Sequence, residues 1–440
     1  MKLSRLFLLA VMGLGLIACT ENDLVEGGDS NGAQNEDTTY VGFTIDFSKT
    51  QTRATTETGT AAEQKINKAY VILAASGNIS QIAETPKGTS NNKYVLQTTP
   101  GPHDFYVVVN PTTEPTVGTS IDAYFNTGVA IGVDEFANTT PNSESFLMAS
   151  VKKETFDIAD GVTEEEALAG TDATANNFTI NVERVAAKVT MTCNNLTLSS
   201  GNNNAAGGEI SKTTFNLMGG ATMAYRMAQS TIVEIPNNAW TYTVKNVAVA
   251  TTGDHTGATP AYCLENIHAA NSYKQKNTTY LTLQTTFKPT NVVDCADDVK
   301  PLKTNTLAAG APFYVVQTGS LAGNYLMKTD LENYQKLAGN TGKLPAGVES
   351  ISAEYEEGVC WFGPIWINET EETSDQSTTV TTSPVVRNTW YNLKITGITL
   401  PGEPSEPQID PEQPLTPPTD VAITLTVQPW NFIDRPIELQ

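Results

Sequence analysis

Residues 40–47 read Tyr40-Val41-Gly42-Phe43-Thr44-Ile45-Asp46-Phe47, with Val41, Phe43, Ile45 and Phe47 on one face and Tyr40, Gly42, Thr44 and Asp46 on the other. A period of two is the pattern of a half-buried β-strand. The stretch that follows, Ser48-Lys49-Thr50-Gln51-Thr52-Arg53-Ala54-Thr55-Thr56, is polar and carries no apolar periodicity, so its backbone is open to a protease. Arg53 is the only arginine between residues 6 and 183. An arginine-specific or trypsin-like protease therefore finds one favoured bond here, Arg53 to Ala54, with Lys49 a poorer alternative for the latter.

Upstream, Lys2 and Arg5 precede the apolar run Leu6 to Ile17. That run is too short to span a bilayer as a helix and reads as a signal peptide, residues 1–18. Leu16-Ile17-Ala18-Cys19 resembles a bacterial lipobox, in which the Cys19 thiol takes a diacylglycerol and becomes the new amino terminus. The alternative is an ordinary secretory signal with a chance cysteine. Glu21, Asp23, Glu26, Asp29, Glu36 and Asp37 follow among Gly, Asn and Ser, a composition that buries no core and reads as a tether. Residues 19–53, ahead of the bond after Arg53, are thus expected to be a propeptide.

Composition points to β-structure outside the cytoplasm. The chain has 440 residues, long enough for two or three domains, and only 17% of them are charged. Net charge is −22, and loss of the first 53 residues, with four basic and seven acidic side chains, leaves −19. Nucleic acid is therefore excluded as an expected partner. Of the five cysteines, Cys193, Cys263, Cys295 and Cys360 remain once Cys19 is lipidated. Two disulfides or buried free thiols fit equally, and the spacing matches no zinc module.

Short β-like runs recur at 69–74, 94–97, 105–109 and 178–182, with a helix expected at Thr163 to Leu168, capped by Thr163. Val185, Ala187, Val189 and Met191 open a second set that continues through 241–250, 279–287, 313–317, 359–367, 391–400 and 421–427. A short helix is expected inside it at Thr329 to Leu337. The reading is two β-sandwich domains, 54–186 and 187–400. A Pro-rich linker follows at 401–420, with seven prolines between Pro401 and Pro418. Extended as polyproline II, it would reach about 50 Å.

The last segment, 421–440, carries Val421, Ile423, Leu425 and Val427 in alternation, then Pro429-Trp430 and a second apolar piece with Phe432, Ile433, Ile437 and Leu439. Two readings stay open for 421–427: a strand given to another molecule, or a closing strand that pairs with 391–400 across a long loop. In the second, Phe432 to Leu439 becomes the better donor.

Several segments together resemble the Bacteroidales fimbrillin family, the subunits of type V pili. They are Phe178 to Val189 (FTINVERVAAKV), Tyr262-Cys263-Leu264-Glu265-Asn266, Thr279-Tyr280-Leu281, Val386-Arg387-Asn388-Thr389-Trp390-Tyr391 and Ile423 to Trp430 (ITLTVQPW). The resemblance implies an all-β fold of two transthyretin-like β-sandwich domains with short inserted helices. It also implies export as a lipoprotein anchored in the outer membrane, cleavage by an arginine-specific protease, and head-to-tail growth of identical subunits with accessory fimbrial subunits. By the same resemblance, 40–47 is a removable strand within the propeptide 19–53; its removal would leave a groove that the carboxy-terminal segment of another subunit fills, and until then the resident strand would block an exposed edge.

Burial of the four apolar side chains of 40–47 would contribute roughly 6 to 12 kcal/mol, at about 1.5 to 3 kcal/mol each. A chain cut after Arg53 and stripped of that strand would be adhesive along one groove.

No cofactor, metal or catalytic residue is expected. The chain has three histidines, His103, His255 and His268. Asp254 with His255, and Cys263 with His268, are the only tempting pairs, and neither sits in a nucleophile motif. Trp361, Phe362 and Trp366 could stack on a sugar, although a sandwich core uses the same residues. The alternatives to a shaft subunit are a surface-anchored carbohydrate-binding lipoprotein, a fimbrial anchor or tip subunit and, last, a secreted hydrolase.

Overall fold

In the computed structural model of the protein, residues 38–47, 59–86, 93–141, 143–170, 173–194, 197–198, 207–231, 234–235, 237–252, 255, 257–374, 377–417 and 421–429 are described. The all-β class expected from the sequence is the one adopted. The first sheet holds β1 (Thr39–Phe47), β2 (Ala69–Ala75), β3 (Asn78–Ala83), β4 (Lys93–Thr98), β5 (Gly101–Val109), β7 (Met148–Ser150), β8 (Glu154–Ile158) and β9 (Asn177–Arg184). Its order is β3-β2-β5-β7-β9-β1-β4, with β8 also on β5.

The second sheet holds β10 (Ala186–Cys193), β11 (Thr197–Leu198), β12 (Gly208–Gly220), β14 (Tyr242–Ala248), β15 (Ala261–Leu264), β16 (Tyr280–Pro289), β22 (Val359–Trp366), β25 (Thr389–Ile398) and β26 (Val421–Pro429). Its order is β15-β10-β25-β11-β12-β16-β22, with β14 on β12 and β26 on β25. The chain changes sheets at Val185, the single residue between β9 and β10.

Smaller pieces decorate this frame. Helices α1 (Ile121–Phe125) and α2 (Val133–Phe136) flank β6 (Val129–Ala130), which pairs with β13 (Met223–Ala224) and so ties the halves together. Helix α3 (Glu164–Ala169) starts at Thr163 with a reciprocal capping box to Glu166, as the Thr-x-x-Glu spacing predicts. Between β16 and β22 an outgrowth of β17 (Asn291–Val293), β18 (Leu302–Thr304), β19 (Phe313–Thr318), β20 (Tyr325–Met327), helix α4 (Lys328–Lys336) and β21 (Ser350–Ile351) packs a small core of its own around Leu326. A polar hairpin, β23 (Thr370–Ser374) and β24 (Ser377–Thr382), completes the chain's strands.

Each sheet has its own core. Val41, Phe43, Phe105, Val107, Ile180 and Val182 centre the first, and Val189, Met191, Phe215, Leu283, Tyr391 and Leu393 the second. Trp390, Tyr262 and Leu264 of the second half pack into the first core, so the second half helps to build it at the junction.

Two expectations change. The strand at 40–47 does not cover an edge: β1 is an interior strand, antiparallel to β4 through Val41↔Leu96 and parallel to β9 through Phe43↔Phe178. Taking it out would open a slot with two ladders to fill. Nor do residues 401–417 hang free as a spacer, because they lie as a strap over the outer face of β12, β16 and β22. Trp361 and Glu403 exchange two backbone bonds of 2.8 Å. Glu406 accepts from Asn216 and Thr282 at 2.8 and 3.0 Å, and Trp366 Nε1 donates to Thr416 O at 2.7 Å. Leu415, 2% exposed, closes the strap onto Tyr273, Tyr280, Trp366 and Val380.

Candidate functional site

β1 is held on four sides. Beneath it, Val41, Phe43 and Ile45 are at most 1% exposed, and the Phe43 ring lies 4.5 Å from Phe105, 6.1 Å from Phe156 and 6.3 Å from Phe178. To the sides run the ladders to β4 and β9. Above it lies α3, whose Ala167 is fully buried.

The polar residues around β1 close its open backbone groups. Tyr40 N donates to Val162 O at 3.0 Å and Gly42 N to Asn176 O at 2.9 Å. Asn176 returns its side-chain amide to Tyr40 O at 3.0 Å, and the Thr39 hydroxyl donates to Ala159 O at 2.9 Å. Two further bonds run from β1's neighbours to the end of α3. Asn177 Nδ2 of β9 donates to Ala167 O at 2.7 Å, and Lys93 Nζ of β4 to Leu168 O at 2.6 Å. A Cβ on Gly42 would run into the carbonyl oxygen of Ala167, so glycine is required here by the closeness of α3.

The other candidate strand, β26, is paired along its whole length with β25, from Ile398↔Val421 to Thr389↔Pro429. Ile423 is half-buried against the second core. The closing-strand reading of 421–427 is therefore the arrangement in the single chain, and β26 sits at the margin of its sheet. Val421, Leu425 and Val427 are placed through that backbone ladder. Cys19, Arg53, Ala54, Phe432, Ile433, Ile437 and Leu439 lie outside the described residues, as does the side chain of Phe47.

The arginines that are described share one property. Arg184, Arg226 and Arg387 are 0%, 5% and 4% exposed. Arg184 Nε donates to Glu63 O at 2.9 Å, one Arg226 nitrogen to Tyr124 O at 2.9 Å, and Arg387 forms a fork to Glu265 at 3.2 and 3.3 Å. Arg5, Arg53 and Arg435 are the rest of the arginines in the chain.

Between the two sheets lies a charged cluster that sequence reasoning did not single out. Lys188 Nζ reaches Glu63 Oε1 at 2.9 Å and sits 3.8 Å over the Trp390 ring. The Tyr262 hydroxyl donates to the same Glu63 oxygen at 2.6 Å. Burial alone would raise the Glu63 carboxyl, but Lys188 and Tyr262 outweigh it and hold it below the ordinary value. Glu183, in contrast, is pushed up to about 7, by burial first and by Glu265, against the pull of Arg387.

Among the residues weighed for catalysis or sugar binding, His268, His103, Phe362 and Trp366 are tied into backbone bonds or packing. His268 Nε2 bonds Asn277 O at 2.8 Å, and His103 Nε2 bonds Thr99 O at 2.8 Å. Phe362 and Trp366 are 3% and 2% exposed, and Trp366 packs edge-on against Tyr280 at 5.6 Å. Cys193, Cys263 and Cys360 are buried free thiols, and Cys295 is half-buried and free. Among the described residues no group of three or more His, Cys, Asp or Glu could hold a metal, and no helix is long and apolar enough to cross a membrane.

Comparison with known proteins agrees with the resemblance read from the sequence. The family described as major fimbrial subunit protein type IV, fimbrillin, C-terminal, matches residues 353–435. No curated protein sequence matches the chain. Among solved structures, a fimbrillin, FimA, from Porphyromonas gingivalis W83 is 16% identical, covers 90% of this chain and 99% of its own, and superposes with a TM-score of 0.50. A cell adhesion protein from Parabacteroides distasonis gives 13% identity, 90% and 100% coverage and a TM-score of 0.48. The tip fimbrial protein Mfa3 of Porphyromonas gingivalis, truncated at its carboxy terminus, gives 13%, 89% and 100%, and 0.41. Residues 353–435 thus carry the fimbrillin carboxy-terminal signature, on a chain whose fold is shared with a fimbrillin.

Proposed function

We propose that the protein is a shaft subunit of a surface fimbrium that supports adhesion, with two transthyretin-like β-sandwich domains. It is exported as an outer-membrane lipoprotein through Cys19, cut between Arg53 and Ala54, and polymerised by exchanging β1 for the carboxy-terminal segment of another copy. The observation that carries this reading is an interior strand β1, lying amino-terminal to Arg53, in a chain whose described arginines are all buried. An arginine-specific protease acting on the folded chain is left with Arg53 as the site that would release β1.

The slot left by β1 supplies both parts of the driving force for strand addition, an apolar floor and two unpaired ladders. The full ladder between β25 and β26 favours donation by the part that holds Phe432, Ile433, Ile437 and Leu439, with β26 staying at home. Head-to-tail contacts of this kind do not close on themselves and grow an open filament.

The test is the amino terminus and intact mass of the protein from washed cell surfaces and sheared filaments. A start at Ala54 in polymeric material supports the reading. A start at acylated Cys19 in monomeric material would overturn it, in favour of an anchor or a carbohydrate-binding lipoprotein.

A further inference from the structure

We infer that α3 is a gate over the β1 slot, latched by Lys93 and Asn177, and that it must lift before the carboxy-terminal segment of a second copy of this chain can enter. The inference rests on the strand-exchange reading above and concerns the control of that same slot.

Three observations converge. First, α3 crosses above β1, and two carbonyls of its last turn are held from opposite sides: Ala167 O by Asn177 of β9 at 2.7 Å, and Leu168 O by Lys93 of β4 at 2.6 Å. Those strands are the walls of the slot, with Asn177 opposite Gly42 and Lys93 opposite Thr44. Neither latch involves β1, so the roof would remain strapped across the slot after β1 has gone. Second, the clearance under the roof suits a strand without a side chain at one place, since any Cβ at Gly42 meets Ala167 O, Ala167 C at 2.9 Å and Asn177 Nδ2 at 3.0 Å. The obstacle is backbone carbonyl, which a rotamer change cannot move aside. Third, residues 421–440 contain no glycine. Whatever register that segment takes, it places a Cβ beneath Ala167.

The resident strand is therefore matched to the closed roof and the incoming strand is not. Exchange then requires the two latches to open, which gives the subunit a barrier against filling its slot before a donor is present. The occupant is a second copy of this chain, admitted with α3 raised.

Two measurements on the full chain test this. Hydrogen exchange on uncut Gly42→Ala protein reads the roof alone: the amides of Ala167 and Gly170, which bond Thr163 O and Glu166 O at 3.0 and 2.7 Å, should exchange at least ~10-fold faster, with β2 and β5 unchanged. Unchanged amides in α3 would overturn the gate. Protein cut after Arg53 is then chased with a labelled peptide of residues 421–440. Asn177→Ala and Lys93→Met, each with unaltered protection in β2 and β5, should take it up about 10-fold faster than the unaltered chain. Equal rates would overturn the gate alone. Absence of uptake in every variant would sink strand exchange and the gate together.

Discussion

Glu63 and Lys188 meet at 2.9 Å with side-chain exposures of 0% and 5%, one from the segment just after the proposed cut and the other from the first strand of the second sheet. Their contact joins the two halves where β9 passes into β10. Because both are out of water, leaving either one without its partner is expensive. Lys188→Met should cost about 3 to 5 kcal/mol in denaturant unfolding. Adding Glu63→Gln to it should cost much less than the sum of the two single changes, and a sum that adds simply would mean the pair is not coupled.

Stability should rise as pH falls from about 8 to 5. Glu183 is held up to about 7 in the folded chain, well above an unfolded glutamate, so between those two values the folded state binds the extra proton and acidification favours it. Glu369, also pushed up to about 7 by burial and by Glu371, adds in the same direction. Glu63 has the opposite sign: its lowered value contributes stability above the unfolded glutamate range that is lost as pH falls through the folded value. Melting temperatures should therefore peak in weak acid, and Glu183→Gln should flatten the slope above the peak without abolishing it.

Thiol labelling should be slow and ordered. Burial pushes the Cys263 thiol up to about 12 and the Cys295 thiol up to about 11, and thiolate is the reactive form. In a chain beginning at residue 54, half-buried Cys295 should label first under native conditions, and Cys193, Cys263 and Cys360 only after denaturation. Mass spectrometry of maleimide adducts would check the order; early labelling of Cys263 would contradict the burial described.

The strap should govern how firmly β26 is kept. Leu415→Ala removes the apolar lock under Trp366, with an expected cost of about 2 to 5 kcal/mol. Amides of β25 and β26 should then lose protection before those of β10, measured by hydrogen exchange. Uniform loss across the sheet would indicate that the strap and β26 do not open as a unit.

The β1 strand was legible because its two faces differ: Val41, Phe43 and Ile45 meet a core, and Tyr40 and Thr44 meet a partly open surface. The α3 cap was legible because Thr163 and Glu166 are local neighbours. The second face of β10 was not. Alternation marks Val189 and Met191 as inward, yet Ala186, Lys188, Thr190 and Thr192 are buried as well, because Glu63, Trp390 and Asn392 cover them from far along the chain. A lysine in a strand flanked by alanine and valine was the one available signal. β12 was missed because Lys212 sits at φ 50 and the register slips between Ser211 and Thr214, which breaks the period midway. The docking of 401–417 depends on Leu415 finding Trp366, a tertiary meeting that proline content cannot disclose.

One consequence concerns mechanical load. β9, which walls the β1 slot, runs into β10 with only Val185 between them, and β10 lies parallel to β25, which carries β26. In the proposed filament, a pull on the incoming strand would pass through β9, along continuous backbone into β10, and out through β25 to the next subunit. The ladders along that line have their hydrogen bonds set across or aslant to the strands, so a pull along the filament shears many of them together instead of peeling them one by one. In that filament tension would be carried by the sheets, and the short step at Val185 is where a stretched filament should resist bending apart.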